Sequence, residues 1–436
     1  MQQMLKNKQI VKTVISAQQC IIEDYIGGGG QGEVYKVNLN GTKQAVKWYL
    51  PNTATEAQRK NLDILIKRGT PNDKFLWPQD LVTCDNNEGY GYIMPLRDER
   101  YKSIIDLMKR RIDPTFYSLI TACYQLTDSF LQLHSKGYSY RDISFGNLFF
   151  DPENGDILIC DNDNAGYDQQ TDCGVLGTPS FMAPEIVRGE AKPGASTDLY
   201  SLAVLLFYML MISHPLDGKR EASIKCLDLP ARNKLYGTEP LFIFDPGDDS
   251  NRPVPGLHDN ADIYWKIYPQ EIKDLFTKAF TDGLKDPLNG RVRESQWRQS
   301  MIKLRDSIIK CGDCGQENFY DPSILKAGHE YKCCHCKRTI LVPPKIRISN
   351  STIVLNSDTK LFPHHAENDW DFSKTIAEVT RHPRHPDIWG LKNTSDQKWI
   401  LQKPDGTQNE VEPNKSAGII TGNKINFGKA EGEILA

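Results

Sequence analysis

The residues of this sequence best suited to chemistry lie in a few short strings. Tyr140-Arg141-Asp142-Ile143-Ser144-Phe145-Gly146-Asn147 is followed, nineteen residues after Asp142, by Asp161. A carboxylate beside an attacking hydroxyl can accept its proton, and a second carboxylate with an amide oxygen can hold Mg2+ against phosphates. Taken separately, Asp142 reads as a turn residue and Asp161 as a loop acid. Upstream, Gly27-Gly28-Gly29-Gly30-Gln31-Gly32-Glu33-Val34 carries a G-x-G-x-x-G spacing at Gly27, Gly29 and Gly32. A turn without Cβ atoms lets backbone N–H groups approach phosphate oxygens, although four glycines also suit a flexible hairpin. Fifteen residues after Gly32, Lys47 closes Ala45-Val46-Lys47. A lysine ending a buried apolar strand needs anionic partners; on an edge strand it would simply be solvated. Phosphates and a carboxylate would serve, and of the two acids on the next helical segment, Glu56 and Asp63, Glu56 is the choice.

A second constellation is made of thiols. Cys311-Gly312-Asp313-Cys314 and Cys333-Cys334-His335-Cys336 form two C-x-x-C knuckles with 18 residues between them. Four thiolates so spaced, Cys311, Cys314, Cys333 and Cys336, can close a tetrahedral shell around Zn2+ with no open position, which points to a structural metal. The chain has 11 cysteines, an odd number, and five of them cluster here. A disulfide framework would not look like this. His364-His365, His382 and His385 sit beside prolines and read as surface loop residues rather than ligands.

These strings need elements to hold them. Strand-like runs at Cys20–Ile26, Val34–Asn38 and Ala45–Leu50 surround the glycines. A helical stripe of Leu62, Leu65 and Ile66 lies within Thr55–Arg68, stopped by Gly69-Thr70-Pro71. After Met94 helical spacing dominates, at Ser118–Lys136, Thr197–Ile212 and Pro269–Phe280. Leu216 to Tyr264, rich in Pro, Gly and Asp, reads as an ordered insertion on the helical part. Short β runs return after Pro343-Pro344, at Ile346–Ile348, Thr352–Leu355, Trp399–Gln402 and Lys424–Phe427. Trp370, Trp389 and Trp399 are candidates for the core of that last part.

Further along, Gly177-Thr178-Pro179-Ser180-Phe181-Met182-Ala183-Pro184-Glu185 precedes Asp198 at the start of an apolar helix. With this string the order becomes specific: glycine loop, lysine strand, catalytic loop, metal aspartate, Ala-Pro-Glu, helix aspartate. From about Cys20 to Lys310 the chain resembles the eukaryotic-type Ser/Thr protein kinases. The resemblance implies an α+β, bilobal fold with an N-lobe over 1–94 and a C-lobe over 95–310. A zinc ribbon over 311–344 and a small all-β domain over 345–436 are expected behind it. It implies ATP as phosphoryl donor, Lys47 on the α- and β-phosphates, Asp142 as catalytic base, and Asn147 and Asp161 on Mg2+. Gly27, Gly29, Gly32, Val34, Ala45, Glu56, Met94 and Leu96 would complete the nucleotide site, with Pro95-Leu96 as hinge. Glu185 would pair with Arg291 in a buried ion pair.

The sequence also departs from the family. Tyr140 stands where a histidine is usual, Ser144 where a lysine is usual, and Asp161-Asn162-Asp163 where Asp-Phe-Gly is usual. An active enzyme with protein substrates is the favoured reading. A catalytically silent scaffold, holding partners through the ribbon and the last domain, is the alternative. Arg141 suits a phosphate on the activation segment, where Thr171 and Thr178 are candidates for autophosphorylation, Thr171 first.

Phe75-Leu76-Trp77-Pro78 and Phe242-Ile243-Phe244-Asp245-Pro246 resemble one bacterial group, the kinases of tellurite-resistance-associated phosphorylation triads. That implies a von Willebrand-type protein and a PP2C-type phosphatase as partners. Thr421 to Gly428 loosely resembles the last hairpin of forkhead-associated domains, without the arginine and serine pattern that family uses for phosphate. A β-sandwich for protein contact is therefore expected.

Composition narrows the rest. A net charge of −3 gives no reason to expect nucleic acid or an anionic membrane as partner. No apolar run reaches the ~20 residues of a membrane span. Lys6, Lys8 and Lys12 near the N-terminus interrupt any signal-peptide core, so the cytoplasm is the expected location.

Overall fold

The computed structural model describes residues 3–85, 87–168, 176–326, 328, 330–367 and 369–436. It divides into two compact units, Met1–Lys266 with Lys273–Arg298, and Ile267–Ile272 with Gln299–Ala436.

The first unit begins with an antiparallel barrel. Its strands are β1 (Ile10–Thr13), β2 (Gln19–Gly28), β3 (Gly32–Leu39), β4 (Thr42–Tyr49), β5 (Asp80–Cys84) and β6 (Asn87–Pro95), in the order β1-β2-β3-β4-β6-β5. The strand β1, which sequence patterning does not reveal, closes the barrel by pairing Lys12 with Thr83 and Thr13 with Val82. Side chains alternate across a strand, and here the alternation makes two cores. Val46, Trp48 and Ile93 pack inward with Val11, Ile22, Tyr35 and Val37. Ala45, Tyr49, Tyr92 and Met94 pack on the outer face with Leu62 of α1 (Glu56–Arg68). Thr55 caps α1 by accepting from the Gln58 N–H at 3.1 Å, and Gly69, at φ 73°, ends it. The Trp77 indole N–H donates to the Leu65 carbonyl at 3.0 Å and fixes the far end of α1.

The helical part is built on α2 (Phe116–Ser135) and α3 (Ala195–Met211). Apart from its first turn, α3 is buried nearly all round, which is why its sequence is apolar without a stripe. Between the two lie β7 (Leu148–Phe150) and β8 (Ile157–Ile159), an antiparallel pair with Leu148 opposite Ile159. This pair sets Asn147 and Asp161 at adjacent ends: the Cys160 N–H donates to the Asn147 carbonyl at 2.8 Å. The segment from Leu216 onward is ordered by buried Asn251, whose amide donates to the carbonyls of Leu216 at 3.0 Å and Leu241 at 2.7 Å.

In the second unit, Ile308–Lys310 pairs with Glu317–Phe319 beside the cysteine knuckles. Beyond it stand a six-stranded sheet, running from Ser351–Val354 to Gln408–Val411, and a four-stranded sheet from Lys360–Leu361 to Ser416–Gly418. Ile346, Leu361, Leu391, Trp399, Ile425 and Ile434 form their shared core. Of the three tryptophans expected inside, only Trp399 is fully buried; Trp389 is partly buried and Trp370 is 37% exposed. The histidine expectation holds for His382 and His385, which are exposed, and needs correction at His364 and His365. His365 is buried, accepts the Phe362 N–H at 2.9 Å, and lies 3.2 Å from both oxygens of Asp306. His364 packs against Trp370 and Phe372, and burial, then His365 and Arg305, push its pKa down to about 2.

Candidate active site

Lys47 belongs to the outer face of β4, with Ala45 and Tyr49, and stands opposite Tyr92 in the β4–β6 register. Its Nζ lies 3.0 Å from each oxygen of Asp163, 3.3 Å from Oδ1 of Asp161 and 3.1 Å from Oε1 of Gln31. Asp163 sits in the short turn Asn162–Asn164, and its side chain is 0% exposed. It also accepts from the Tyr49 hydroxyl at 2.5 Å and the Tyr92 hydroxyl at 3.1 Å. Burial opposes the charge on Lys47, but Asp163 and then Asp161 hold its pKa above the ordinary lysine value. Burial and Asp163 push both tyrosines well above theirs.

This geometry corrects the choice of Glu56. Glu56 opens α1 with a side chain 79% exposed and pairs with Lys60 at 2.7 Å, one turn along its own helix. The residues of α1 that face the site are amides. Gln58 Nε2 donates to the Asp163 carbonyl at 3.0 Å and to the Tyr49 hydroxyl at 3.1 Å, while Asn61 Nδ2 donates to the carbonyls of Asp163 at 3.1 Å and Ala165 at 2.9 Å.

The loop from Tyr140 to Asn147 is held from below. Asp198, near the start of α3, accepts from the backbone N–H of Tyr140 at 2.6 Å and of Arg141 at 2.9 Å. Arg141 needs such support because its φ is 74°. His134, at the end of α2, lies 3.1 Å from Asp198 and also bonds Glu294. Burial alone would lower the His134 pKa, but the hydrogen bonds and charges of Asp198 and Glu294 raise it to about 9. Tyr140 uses its hydroxyl to bond the carbonyl of Cys160, the residue before Asp161. Arg141 reaches the other way, donating to the Tyr167 carbonyl at 2.7 Å.

At the mouth of the loop, Asn147 Nδ2 donates to the Asp142 carbonyl at 2.8 Å. That leaves its amide oxygen to serve a cation. The Thr178 hydroxyl donates to Asp142 Oδ1 at 2.9 Å and orients that carboxylate. Asp161 has the left-handed backbone φ 49° and a side chain 42% exposed. Burial raises its pKa, Lys47 lowers it, and Asp163 and Asp142 raise it again, with the net shift upward. Asp161 and Asp163 thus flank one lysine, with Asp142 near enough to act on Asp161, an excess of negative charge that a divalent cation suits.

Above these groups, Val34, Ala45, Met94 and Leu96 share an apolar cluster with Leu158 and Cys160. Such a surface suits a flat heterocycle. Gly27 and Gly28 end β2, and the Gly29 N–H donates to the Gly32 carbonyl at 2.9 Å to close the hairpin. Gly32 is required by close approach: a Cβ there would stand 2.4 Å from the Trp48 carbonyl oxygen. Glu185 and Arg291 form a buried pair at 2.6 Å, with Arg291 also donating to the Ser196 carbonyl at 2.7 Å. Thr171 lies outside the described residues.

Away from this site, the sulfurs of Cys311, Cys314, Cys333 and Cys336 all lie within 4.8 Å of one another. The Cys311–Cys336 and Cys314–Cys333 sulfur separations are 3.7 and 3.6 Å. A tetrahedron with metal–sulfur bonds of ~2.3 Å has edges of about 3.8 Å, so the cradle fits Zn2+. Burial raises the Cys333 thiol, but the N–H groups of Cys336 and His335, with the Asn318 amide, bring it down to about 6.

A β barrel followed by a helical part, with a lysine, two flanking acids and a carboxylate–amide loop brought together, is the arrangement of the phosphotransferase class of proteins. Residues 21–280 match the family model described as "Protein kinase domain", and the chain belongs to that family. It is 25% identical over 298 residues to "Protein kinase gsk3" of Schizosaccharomyces pombe, covering 65% of this chain and 74% of that one. It is 27% identical over 243 residues to "Probable serine/threonine-protein kinase kinX" of Dictyostelium discoideum, covering 52% of this chain and 22% of that one. It is 32% identical over 117 residues to "Probable serine/threonine-protein kinase CCRP1" of Zea mays, covering 26% and 18%. The chain thus spans less than a quarter of the last two relatives. It is a serine/threonine protein kinase, and its domain implies the use of ATP and Mg2+.

Residue patterns alone missed Asp163, Tyr49, Tyr92, Gln58 and Asn61. One signal was available: Lys47 and Tyr49 share a strand face by their spacing, and a tyrosine hydroxyl beside a buried lysine calls for a shared acceptor.

Proposed function

We propose that the chain transfers the γ-phosphoryl group of ATP to Ser/Thr hydroxyls of partner proteins. One observation carries this: Lys47 and Asp161 meet within 3.3 Å in the cleft where the Asp142–Asn147 loop opens. On this reading Lys47 binds the α- and β-phosphates, and Val34, Ala45, Met94 and Leu96 bound the adenine. The hairpin of Gly27, Gly29 and Gly32 covers the phosphates. Asp142, oriented by Thr178, accepts the proton of the attacking hydroxyl. Asn147 and Asp161 would hold Mg2+, which when bound offsets phosphate charge. Ser144 leaves the usual lysine's charge unreplaced, which favours slow turnover and gives the silent-scaffold reading its support.

The same proposal includes autophosphorylation at Thr171, with Arg141 as its phosphate partner. It includes structural Zn2+ on Cys311, Cys314, Cys333 and Cys336, and the division into lobes 1–94 and 95–310, ribbon 311–344 and β domain 345–436. The resemblance to the tellurite-resistance group supports a von Willebrand-type substrate and a PP2C-type antagonist, and the lysines that interrupt any signal-peptide core support a cytoplasmic setting. Among the described residues no helix is long and apolar enough to cross a membrane.

Radiolabelled ATP with Mg2+, a generic substrate and the candidate partner tests the central claim. Wild type should label protein at least ~100-fold faster than Asp142→Ala, the scale of a lost general base. Equal, negligible labelling in both would leave the scaffold reading in its place. Phosphate on Thr171 of Asp142→Ala expressed alone would refute self-modification.

A further inference from the structure

We propose that Asp163 is the positioning residue for Lys47, so that the lysine is bound to the metal-binding turn rather than to a carboxylate of helix α1. The inference rests on the kinase reading of the cleft and names what orients its phosphate-binding lysine.

Both oxygens of Asp163 lie 3.0 Å from Lys47 Nζ. Among the described residues, Lys47 pairs only with Asp161 and Asp163. Asp163 has an environment built to keep a carboxylate in one place. Tyr49 and Tyr92 each donate a hydroxyl to a different oxygen, and the turn Asn162–Asn164 brings its Cα close enough for a short side chain to reach. Removing such a group would leave a lysine side chain only 5% exposed with one acid instead of two.

The arrangement changes what helix α1 does. Its contacts to the turn are amide-to-carbonyl bonds, from Gln58 and Asn61 to Asp163 and Ala165. A shift of α1 breaks neutral hydrogen bonds and leaves the ion pair intact. Lysine, its counterion and Asp161 then move as one body with β4 and the turn. The third partner of Lys47, the Gln31 amide oxygen on the glycine hairpin at 3.1 Å, is neutral. A phosphate oxygen replaces that contact when ATP enters, and the Asp163 pair persists.

The test uses the full chain and two readouts, Mg-ATP affinity by calorimetry and ATP kinetics. Asp163→Asn keeps the volume but removes the charge and one of the two oxygens, so that only one of the Tyr49 and Tyr92 hydroxyls can still donate to it. It should weaken Mg-ATP binding roughly 30-fold or more and raise the KM for ATP more than it lowers kcat. Glu56→Gln should leave both unchanged. In Asp163→Gly, adding Gln58→Glu should restore at least about tenfold of the lost affinity, because it returns a carboxylate to the helix face beside Tyr49. Asp163→Asn that is folded by its thermal melt and binds Mg-ATP within about threefold of wild type overturns the proposal. So does a large loss in Glu56→Gln. If wild type binds Mg-ATP but does not turn over, the enzyme reading fails alone and the affinity comparison still decides Asp163. Absence of nucleotide binding by the folded wild type overturns both.

Discussion

His134 lies between two acids, Asp198 and Glu294, and this decides its charge. Its pKa rises from 6.5 to about 9 on folding. A raised pKa means that protonation favours the folded state. The contribution is fully present below pH ~6.5 and is lost as pH rises through about 9. A shift of that size is worth on the order of 3 kcal/mol. Urea unfolding at pH 7 and pH 10 should show the loss in wild type and a shallower one in His134→Gln. Tyr140 makes a related point. It stands where a histidine is usual in the family, and its hydroxyl reaches the Cys160 carbonyl. Tyr140→Phe orphans that buried acceptor and should cost about 1–3 kcal/mol in thermal or urea unfolding. At this scale the residue types that do chemistry were legible, because each motif constrains its own neighbours. Partners were not. Asp163 is 116 residues from Lys47, and nothing local in either string announces the other.

Strand β4 carries Lys47 between β3 and β6, each of which makes one close backbone approach to it at a glycine. A Cβ on Gly32 would stand 2.4 Å from the Trp48 carbonyl oxygen, and one on Gly91 2.3 Å from the Lys47 carbonyl oxygen. Each contact is with backbone, which cannot rotate away. Gly91→Ala should therefore cost about 1–3 kcal/mol in thermal unfolding and displace Lys47, weakening Mg-ATP binding. Helix α1 shows where element reading stops. Its stripe and stop signal were legible in the sequence, and it runs Glu56–Arg68. Which of its polar residues faces the cleft depends on how α1 is rotated against β4 and β6, and packing through Leu62 sets that rotation. The rotation presents Gln58 and Asn61 and leaves Glu56 outside. Strand β1 was invisible because Ile10–Thr13 is four residues long and alternates only twice.

For the whole chain, the proposed zinc in the second unit has a direct check. Elemental analysis should find about one Zn2+ per chain, lost in Cys333→Ser. Chelation should lower the melting of the second unit, followed by the fluorescence of buried Trp399, because metal-binding free energy there is folding free energy. Tryptophan melting unchanged by a chelator that removes the metal would refute a structural role.

The order of motifs determined the family and both constellations, since backbone spacing and residue type suffice to specify a glycine hairpin, a catalytic loop and two thiol knuckles. Tertiary structure alone decided the counterion of Lys47, the charge of His134 and the burial of His365. Each depends on which distant groups meet once the core excludes water, and a buried charge is settled by its neighbours rather than by its place in the chain.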